Sequence, residues 1–422
     1  MLYELWLDLV RDRKQDLALR DEAANENWSF DRLCREAERQ TLAPGQRAFP
    51  QGHSVQFILD VLRAWRAGCL VCPLEPDQKP PQISEPPPQC RHLKITSATS
   101  GSARFVAFRP EQLAADAQNI VSTMGLRPDW PNLGAISMAH SYGFSNLALP
   151  LLLRGIPLIL VPSPLPEVIK RAAGAHPALT LAGVPALWRA WREAGALLPS
   201  IRLAISAGAP LPAELEQAVF ADGGLKIHNF YGSSECGGIA YDASEIPRAE
   251  TGFAGRAVDN VSLSIGDDGC MQVRSRAVAE TYWPAPQASL GGGVFCSGDL
   301  ASITARGVFL TGRLGDLINA AGRKVAPEVI EEALRACPNV RDCLVFGVPA
   351  EQGERADVIA ACVVSNGPRD GMALRRFLQN SLPAWQIPRE WVFVDSLETS
   401  QRGKVSRAEW RRRFAGLRSR RP

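Results

Sequence analysis

Apolar positions recur at two intervals along this chain, and the interval changes from region to region. Between Leu17 and Leu74 short helical and strand-like segments alternate. Val55 to Gly68 carries apolar residues at helical spacing, and the apolar run Cys69 to Leu74 after it predicts a buried strand. From Leu93 to Ile227, strand-like runs alternate with amphipathic stretches. Ala135–Met138, Leu158–Val161, Leu179–Leu181, Ile201–Ile205 and Gly224–Ile227 read as the strands. Such a rhythm predicts an α/β architecture with a largely parallel sheet.

Two stretches depart from it. Pro76 to Pro88 (PDQKPPQISEPPP) is proline-rich, reads as an extended connector and is incompatible with a helix. After Glu235 the spacing shortens to two. Val261–Ile265 and Met271–Arg274 flank the turn Gly266-Asp267-Asp268-Gly269 as a hairpin, and strand-and-turn sequence continues to Leu310, which predicts a β-rich subdomain. A boundary is expected near Gly312 to Asp316, giving a large N-terminal domain (1–313) and a small α+β domain (314–422). In the latter, Pro327–Ala336 and Gly371–Leu382 read as helices and Cys343–Gly347 and Val358–Val364 as strands.

Composition changes this picture little. Hydrophobic residues at 46% and charged residues at 22% belong to a globular protein, and 422 residues exceed one ordinary core. The longest apolar runs, Leu147–Leu153 and Ile156–Val161, are separated by Arg154 and Gly155, so no membrane span is predicted. The N-terminus (MLYELWLDLVRDRK) lacks the layout of a signal peptide, and the expected location is cytoplasmic. Ten cysteines show no repeated spacing; Cys69 and Cys72 match C-x-x-C but lie in the apolar run and read as core. Charge is unevenly placed. Residues 400–422 hold nine Arg or Lys against the single acid Glu409, a balance of +8 that leaves −5 for the rest of a chain whose net charge is +3. That tail reads either as a solvated terminus or as a patch for an acidic protein or phosphorylated ligand; no nucleic-acid module accompanies it.

The candidate chemistry gathers in short polar runs. Asn229-Phe230-Tyr231-Gly232-Ser233-Ser234-Glu235, read as a polar turn after the strand Gly224–Ile227, suits a nucleotide. Tyr231 offers a ring to stack on a base, Gly232 a close backbone approach, Ser233 and Ser234 donors for phosphate, and Glu235 a hard oxygen for Mg²⁺. Upstream, Thr96-Ser97-Ala98-Thr99-Ser100-Gly101-Ser102 groups hydroxyls and backbone N–H donors around a glycine, as an anion-holding loop does. Then follow Ser206-Ala207-Gly208-Ala209-Pro210, Ser297-Gly298-Asp299, Thr311-Gly312-Arg313-Leu314-Gly315-Asp316, Gly322-Arg323-Lys324 and, near the end, Arg402-Gly403-Lys404.

Taken in order, these landmarks resemble the adenylate-forming superfamily of acyl- and aryl-CoA synthetases, non-ribosomal peptide adenylation domains and luciferases, over roughly residues 25 to 410. The resemblance implies a site for Mg·ATP. Thr99, Ser100, Gly101 and Ser102 would hold phosphate, and Gly208, Ala209, Pro210, Tyr231 and Gly232 the adenine. Ser234 would touch the α-phosphate and Glu235 bind Mg²⁺. Asp299 would accept from the ribose hydroxyls, and Arg313 would contact ribose or phosphate. Lys404 would bridge the attacking carboxylate and the α-phosphate. Gly315 would be the hinge of a mobile C-terminal domain, and Gly322 and Arg323 the loop of the thiol step. His140, Tyr142, Gly143, Val184 and Gly237 would line a mostly apolar acyl pocket, with His140 open to reading as a gate, a packed histidine or a catalytic group.

The function implied is ATP-dependent activation of an aryl or acyl carboxylate as acyl-AMP, then transfer to the thiol of CoA or of a carrier protein's phosphopantetheine. The run Tyr231 to Tyr241 looks similar to ligases of aryl-polyene and related pigment pathways. One departure points to an alternative, a catalytically impaired adenylate-binding protein. After Ser102 the resembled motif continues Thr-Gly-x-Pro-Lys-Gly, whereas here Arg104 replaces a glycine and Ala107 the lysine. The N-terminal region is also short for the family.

Overall fold

The computed structural model describes residues 1–96, 104–250, 252–320, 322–349, 357–397 and 407–418, with side chains of the last helix to Phe414. Thr99, Ser100, Gly101, Ser102 and Lys404 lie outside the described residues. The chain forms two compact units. One comprises 1–266, 272–297 and 303–309; the other comprises 267–271, 298–302 and 310–422. The fold is mixed α/β, as expected.

In the first unit a sheet runs in the order 253–257, 237–241, 227–233, 201–206, 179–183, 132–134, 158–160, 17–21, 26–29. The pairs from Ile201–Ser206 through Leu158–Leu160 to Leu17–Asp21 are parallel, while Gly237–Tyr241 turns back antiparallel on Ile227–Ser233. Parallel strands need both faces covered. Trp188 and Trp191 of the helix Pro185–Glu193 meet edge to face, 5.0 Å between centroids, in one core with Ile159, Leu181 and Ile227. Each such fully buried side chain contributes about 1.5–3 kcal/mol of transfer free energy. The helix Pro110–Met124 begins with proline at its first position, has its entry N–H (Arg109) donating to Gln112 at 2.8 Å, and ends at left-handed Gly125.

A buried ionic cluster locks the strands that carry the central motif. Lys226 Nζ donates to Glu216 and, at 2.8 Å, to Asp242; Arg248 Nε donates to Glu216 at 2.6 Å. Arg248 also reaches the carbonyls of Leu211 (2.8 Å) and Phe253 (2.9 Å), which ties the chain after Pro210 to the strand 253–257. Two cations face two carboxylates, so the charges cancel where water is absent.

The second unit holds the hairpin Val340–Pro349/Asp357–Ser365 with Glu390–Val394 alongside in parallel. Helices Pro327–Arg335 and Gly371–Leu378 supply Ile330, Leu334, Leu374 and Leu378 to its core. The last helix, Arg407–Arg418, lays Trp410 and Phe414 on Leu344, Phe346 and Val348. Residues 407–414 of the basic tail are thus helical and packed on the sheet, while Arg411, Arg412 and Arg413 are exposed.

Three expectations are corrected. The strand placed at Ala135–Met138 is Asn132–Gly134; Ala135 N–H folds back on Leu133 O (2.9 Å), and its apolar neighbours are buried in a turn instead. The strand placed at Gly224–Ile227 is Ile227–Ser233, because Gly224 is the left-handed end of the preceding helix. Most of the supposed polar turn is thus strand. Only Leu70–Val71 of Cys69–Leu74 pairs as strand. Its two cysteines are nonetheless core, with burial pushing the Cys72 thiol up to about 12.

Candidate functional site

The central motif is held from below. Asp116, 2% exposed, stands on the helix Pro110–Met124 and accepts from Gly238 N–H (3.2 Å) through Oδ1 and from Ser145 Oγ (2.6 Å) through Oδ2. Ser145 lies on a π-helical turn, Phe144–Ala148, a bulge that helices often form beside functional sites. Its hydroxyl accepts from Lys94 Nζ at 3.3 Å, and Lys94 is 4% exposed with its ammonium 4.7 Å from the Phe108 ring centroid. Burial pushes the Lys94 pKa down, and the Asp116 carboxylate opposes the shift, with smaller help from Cys236 and Glu235.

Above this floor the chain leaves the strand at Ser233. The Ser233 hydroxyl accepts from Glu235 N–H at 3.2 Å, and Glu235 O accepts from Ala279 N–H at 2.8 Å. Ser233 is therefore engaged in its own turn, and Ser234 is the hydroxyl that faces another residue, with Ser141 Oγ donating to it at 2.9 Å. Glu235 Oε1 accepts from Tyr282 OH at 3.0 Å; Tyr282 stays a phenol through the neutral range because burial, then the Glu235 charge, raises its pKa. Gly237 has φ +69, and a Cβ there would stand 1.9 Å from Asp116 Oδ1. Gly237→Ala is expected to break the Gly238–Asp116 bond and destabilise the protein by about 2–5 kcal/mol, from a strained backbone and a core clash. Urea unfolding of the purified variant measures it; a loss within half a kilocalorie would mean the floor yields.

The residues expected at the acyl pocket each make close contacts of their own. Tyr142 OH donates to Ile205 O at 3.2 Å, beside Phe230 at 6.2 Å between rings, and burial again holds the phenol protonated. Gly143 packs so closely that a Cβ would lie 2.0 Å from Ser137 O. Gly208 takes φ +85, with Val184 Cγ1 3.3 Å from where its Cβ would be, so the Gly208-Ala209-Pro210 loop and Val184 are neighbours. Gly232 has no room for a side chain either, since Gly237 O would be 2.6 Å away. His140 Nε2 is 2.8 Å from Glu75 Oε1, which also accepts from Ser137 Oγ at 2.8 Å.

In the second unit Asp299, 8% exposed, pairs with Arg313 Nε at 2.5 Å. Gly315 sits in the short 3₁₀ turn Leu314–Asp316 with open space around it. Gly322 is left-handed (φ +80) between the strands Ile318–Ala320 and Arg323–Val325, with nothing close to its Cβ position. Arg407 gathers Asp316 (3.1 Å), Glu328 (2.8 Å) and Glu331 (2.9 Å) at the start of the last helix.

Sequence reading missed Lys94, Asp116, Ser141, Glu75 and Tyr282. Only a charged residue inside an apolar run, as Lys94 is within His92-Leu93-Lys94-Ile95, was a signal available beforehand.

A strand-borne ring, a hydroxyl and a carboxylate thus stand at one turn above the buried Asp116, Ser145 and Lys94, a set suited to a nucleotide. The AMP-binding enzyme family matches residues 93–283, and the AMP-binding enzyme C-terminal domain matches residues 329–404. Feruloyl-CoA synthase of Amycolatopsis sp. is 29% identical over 362 residues, 80% of this chain and 72% of the relative. A probable 2-succinylbenzoate–CoA ligase of Mycobacterium tuberculosis is 30% identical over 343 residues, 76% of this chain and 84% of the relative. ATP-bound MatB from Rhodopseudomonas palustris superposes with a TM-score of 0.86 at 22% identity, covering 99% of both chains. The chain belongs to the AMP-binding enzymes, the adenylate-forming acyl- and aryl-CoA ligases. Among the described residues no helix is long and apolar enough to cross a membrane.

Proposed function

We propose that the protein activates an aromatic carboxylate with ATP and transfers the acyl group to the thiol of CoA. The observation that carries this reading is the bond from Ser141 to Ser234 of the central motif, next to Tyr142, whose hydroxyl donates to Ile205 O, with the 208–210 loop beside Val184. In the first half-reaction a carboxylate oxygen attacks the α-phosphorus of ATP and pyrophosphate leaves. In the second a thiol sulfur attacks the acyl carbon, AMP leaves, and the thiol proton is released to solvent. Ser234 would meet the α-phosphate, Tyr231 and the 208–210 loop the adenine, and Asp299 with Arg313 the ribose. Thr99, Ser100, Gly101 and Ser102 would meet the remaining phosphates, Lys404 the attacking carboxylate, and Gly322 and Arg323 the incoming thiol. Alternation between the half-reactions would turn on Gly315, with 1–313 and 314–422 as the two bodies.

Glu235 fits a Mg²⁺ carried in with ATP. One carboxylate oxygen is held by Tyr282 and the other has no hydrogen bond among the described residues, and no cluster of three metal-binding side chains occurs among them. A cation that keeps most of its shell as water and phosphate needs only such a single ligand; it would neutralise charge on the phosphates.

The aromatic preference is supported by relatives named for feruloyl, 2-succinylbenzoate and indoleacetate CoA ligation. Glu75 is paired to His140 and Ser137 rather than left to receive a substrate amine. A silent adenylate-binding role is not favoured, since the named relatives are CoA ligases. ATP–pyrophosphate exchange across cinnamic, benzoic, arylacetic and fatty acids tests the substrate class, and exchange confined to fatty acids would overturn it. Acyl transfer from the best acid to CoA and to holo carrier protein then tests the acceptor. The expected product is acyl-CoA, and transfer to carrier protein alone would reverse that choice.

A further inference from the structure

The loop motif that this chain resembles carries a lysine before its last glycine, and the corresponding residue here, Ala107, is 0% exposed inside a strand, paired with Leu93 on one side and Thr281 on the other. A cation cannot simply be restored by a neighbouring rotamer there. Three residues earlier, Arg104 opens the same strand, and its guanidinium lies over the Tyr282 ring at 3.4 Å from the centroid. Tyr282 is the residue whose hydroxyl donates to Glu235 Oε1 at 3.0 Å. The stacking is a cation–π contact that holds the guanidinium over the ring. Its donors are only partly engaged. Nη2 donates to Gln287 Oε1 at 2.7 Å, while Nε, shielded from solvent, meets no acceptor among the described residues. No carboxylate pairs with Arg104 among them either.

Cation, phenol and carboxylate thus form one file, with donors free at one end and a carboxylate oxygen free at the other. A metal–polyphosphate has the complementary order, since its cation takes a carboxylate while its phosphate oxygens take a planar, forked donor. We propose that Arg104 is the residue of this chain that binds the pyrophosphate portion of ATP, and that Tyr282 positions both Arg104 and Glu235 for it. This deepens the ligase reading and rests on it. Arg104 would then supply the cation that Ala107 does not.

Calorimetric titration without carboxylate, so that no turnover occurs, tests the assignment. The probes are Mg·ATP, Mg·pyrophosphate and AMP. Arg104→Gln is expected to weaken Mg·ATP and Mg·pyrophosphate by about tenfold or more, the loss of charge-assisted hydrogen bonds, and to leave AMP binding unchanged. Arg104→Lys restores part of the loss. Tyr282→Phe keeps the ring but loses the hydroxyl, and is expected to weaken Mg·ATP while AMP is again unaffected. Equal weakening of AMP and Mg·ATP in these variants would overturn the proposal in favour of a purely structural role, as would Mg·ATP binding by Arg104→Gln at the wild-type strength. AMP binding reports folding in every variant. A wild-type protein that bound neither ATP nor AMP would instead overturn the ligase reading itself.

Discussion

Lys404→Ala is expected to lower ATP–pyrophosphate exchange by roughly 10²–10³-fold, the cost of removing one donor aimed at developing transition-state charge. The attacking carboxylate and the α-phosphate are both anionic, and bringing them together without a cation is the main electrostatic obstacle of the first half-reaction. The second half-reaction has no such convergence. Thioester formation from chemically supplied acyl-adenylate should therefore proceed at the wild-type rate in the same variant. The residue belongs to the segment that matches the AMP-binding C-terminal domain, which ends at 404. Equal losses in both half-reactions would show that Lys404 supports the fold rather than adenylation, and Glu235→Gln run in parallel would set the scale for a lost metal ligand.

The second large effect falls on stability. Asp116→Ala leaves the Lys94 ammonium buried without the carboxylate that reaches it through Ser145, and stranding a buried charge in this way costs about 3–5 kcal/mol. The pH dependence identifies the cause. Burial already holds the native Lys94 pKa below that of the unfolded chain, and loss of Asp116 lowers it further. The unfolded state then binds more protons than the native state between the lowered value and the ordinary lysine range near ~10.4, so stability rises with pH there. Thermal melts of the variant from pH ~7 to ~10 should show its deficit shrinking as pH rises, against a flatter wild-type profile. Lys94→Met in the Asp116→Ala background should recover part of the loss at neutral pH and abolish the slope. A deficit that is independent of pH would locate the damage in the Ser145 and Gly238 hydrogen bonds instead.

Much of the fold was legible because its sheet is buried on both faces. Leu158–Leu160, Leu179–Gly183 and Ile201–Ser206 are dominated by apolar residues, with only Arg202 among them exposed, and such runs name themselves. Ala135–Met138 misled because burial in a turn and burial in a strand leave the same apolar signature, and only the backbone bond from Ala135 to Leu133 separates them. The order of short motifs exposed the family for a different reason: glycines such as Gly232 and Gly237 sit where no Cβ fits, so the spacing around them is constrained by sterics. The supports stayed hidden. Asp116 lies more than a hundred residues from Gly238, and Glu75 sixty-odd from His140. Nothing local marks a carboxylate whose partner is brought to it by the fold. Arg104 was visible as an oddity of the loop, but its meaning depends on the Tyr282 ring beneath it.

The final helix bears on how the basic tail can be studied. Trp410 and Phe414 cover Leu344, Phe346, Val348 and Cys362, while Arg411, Arg412 and Arg413 point to solvent from the same turns. Cutting the chain before Arg407 to remove the positive charge would therefore strip one face of the small unit's sheet, and a truncated protein would report exposed hydrophobic surface whatever the arginines do. Exposed charge and covering are carried by the same helix, whose Arg407 is itself held by Asp316, Glu328 and Glu331, so they separate only by exchanging Arg411, Arg412 and Arg413 for glutamine with Arg407 and both aromatics left in place.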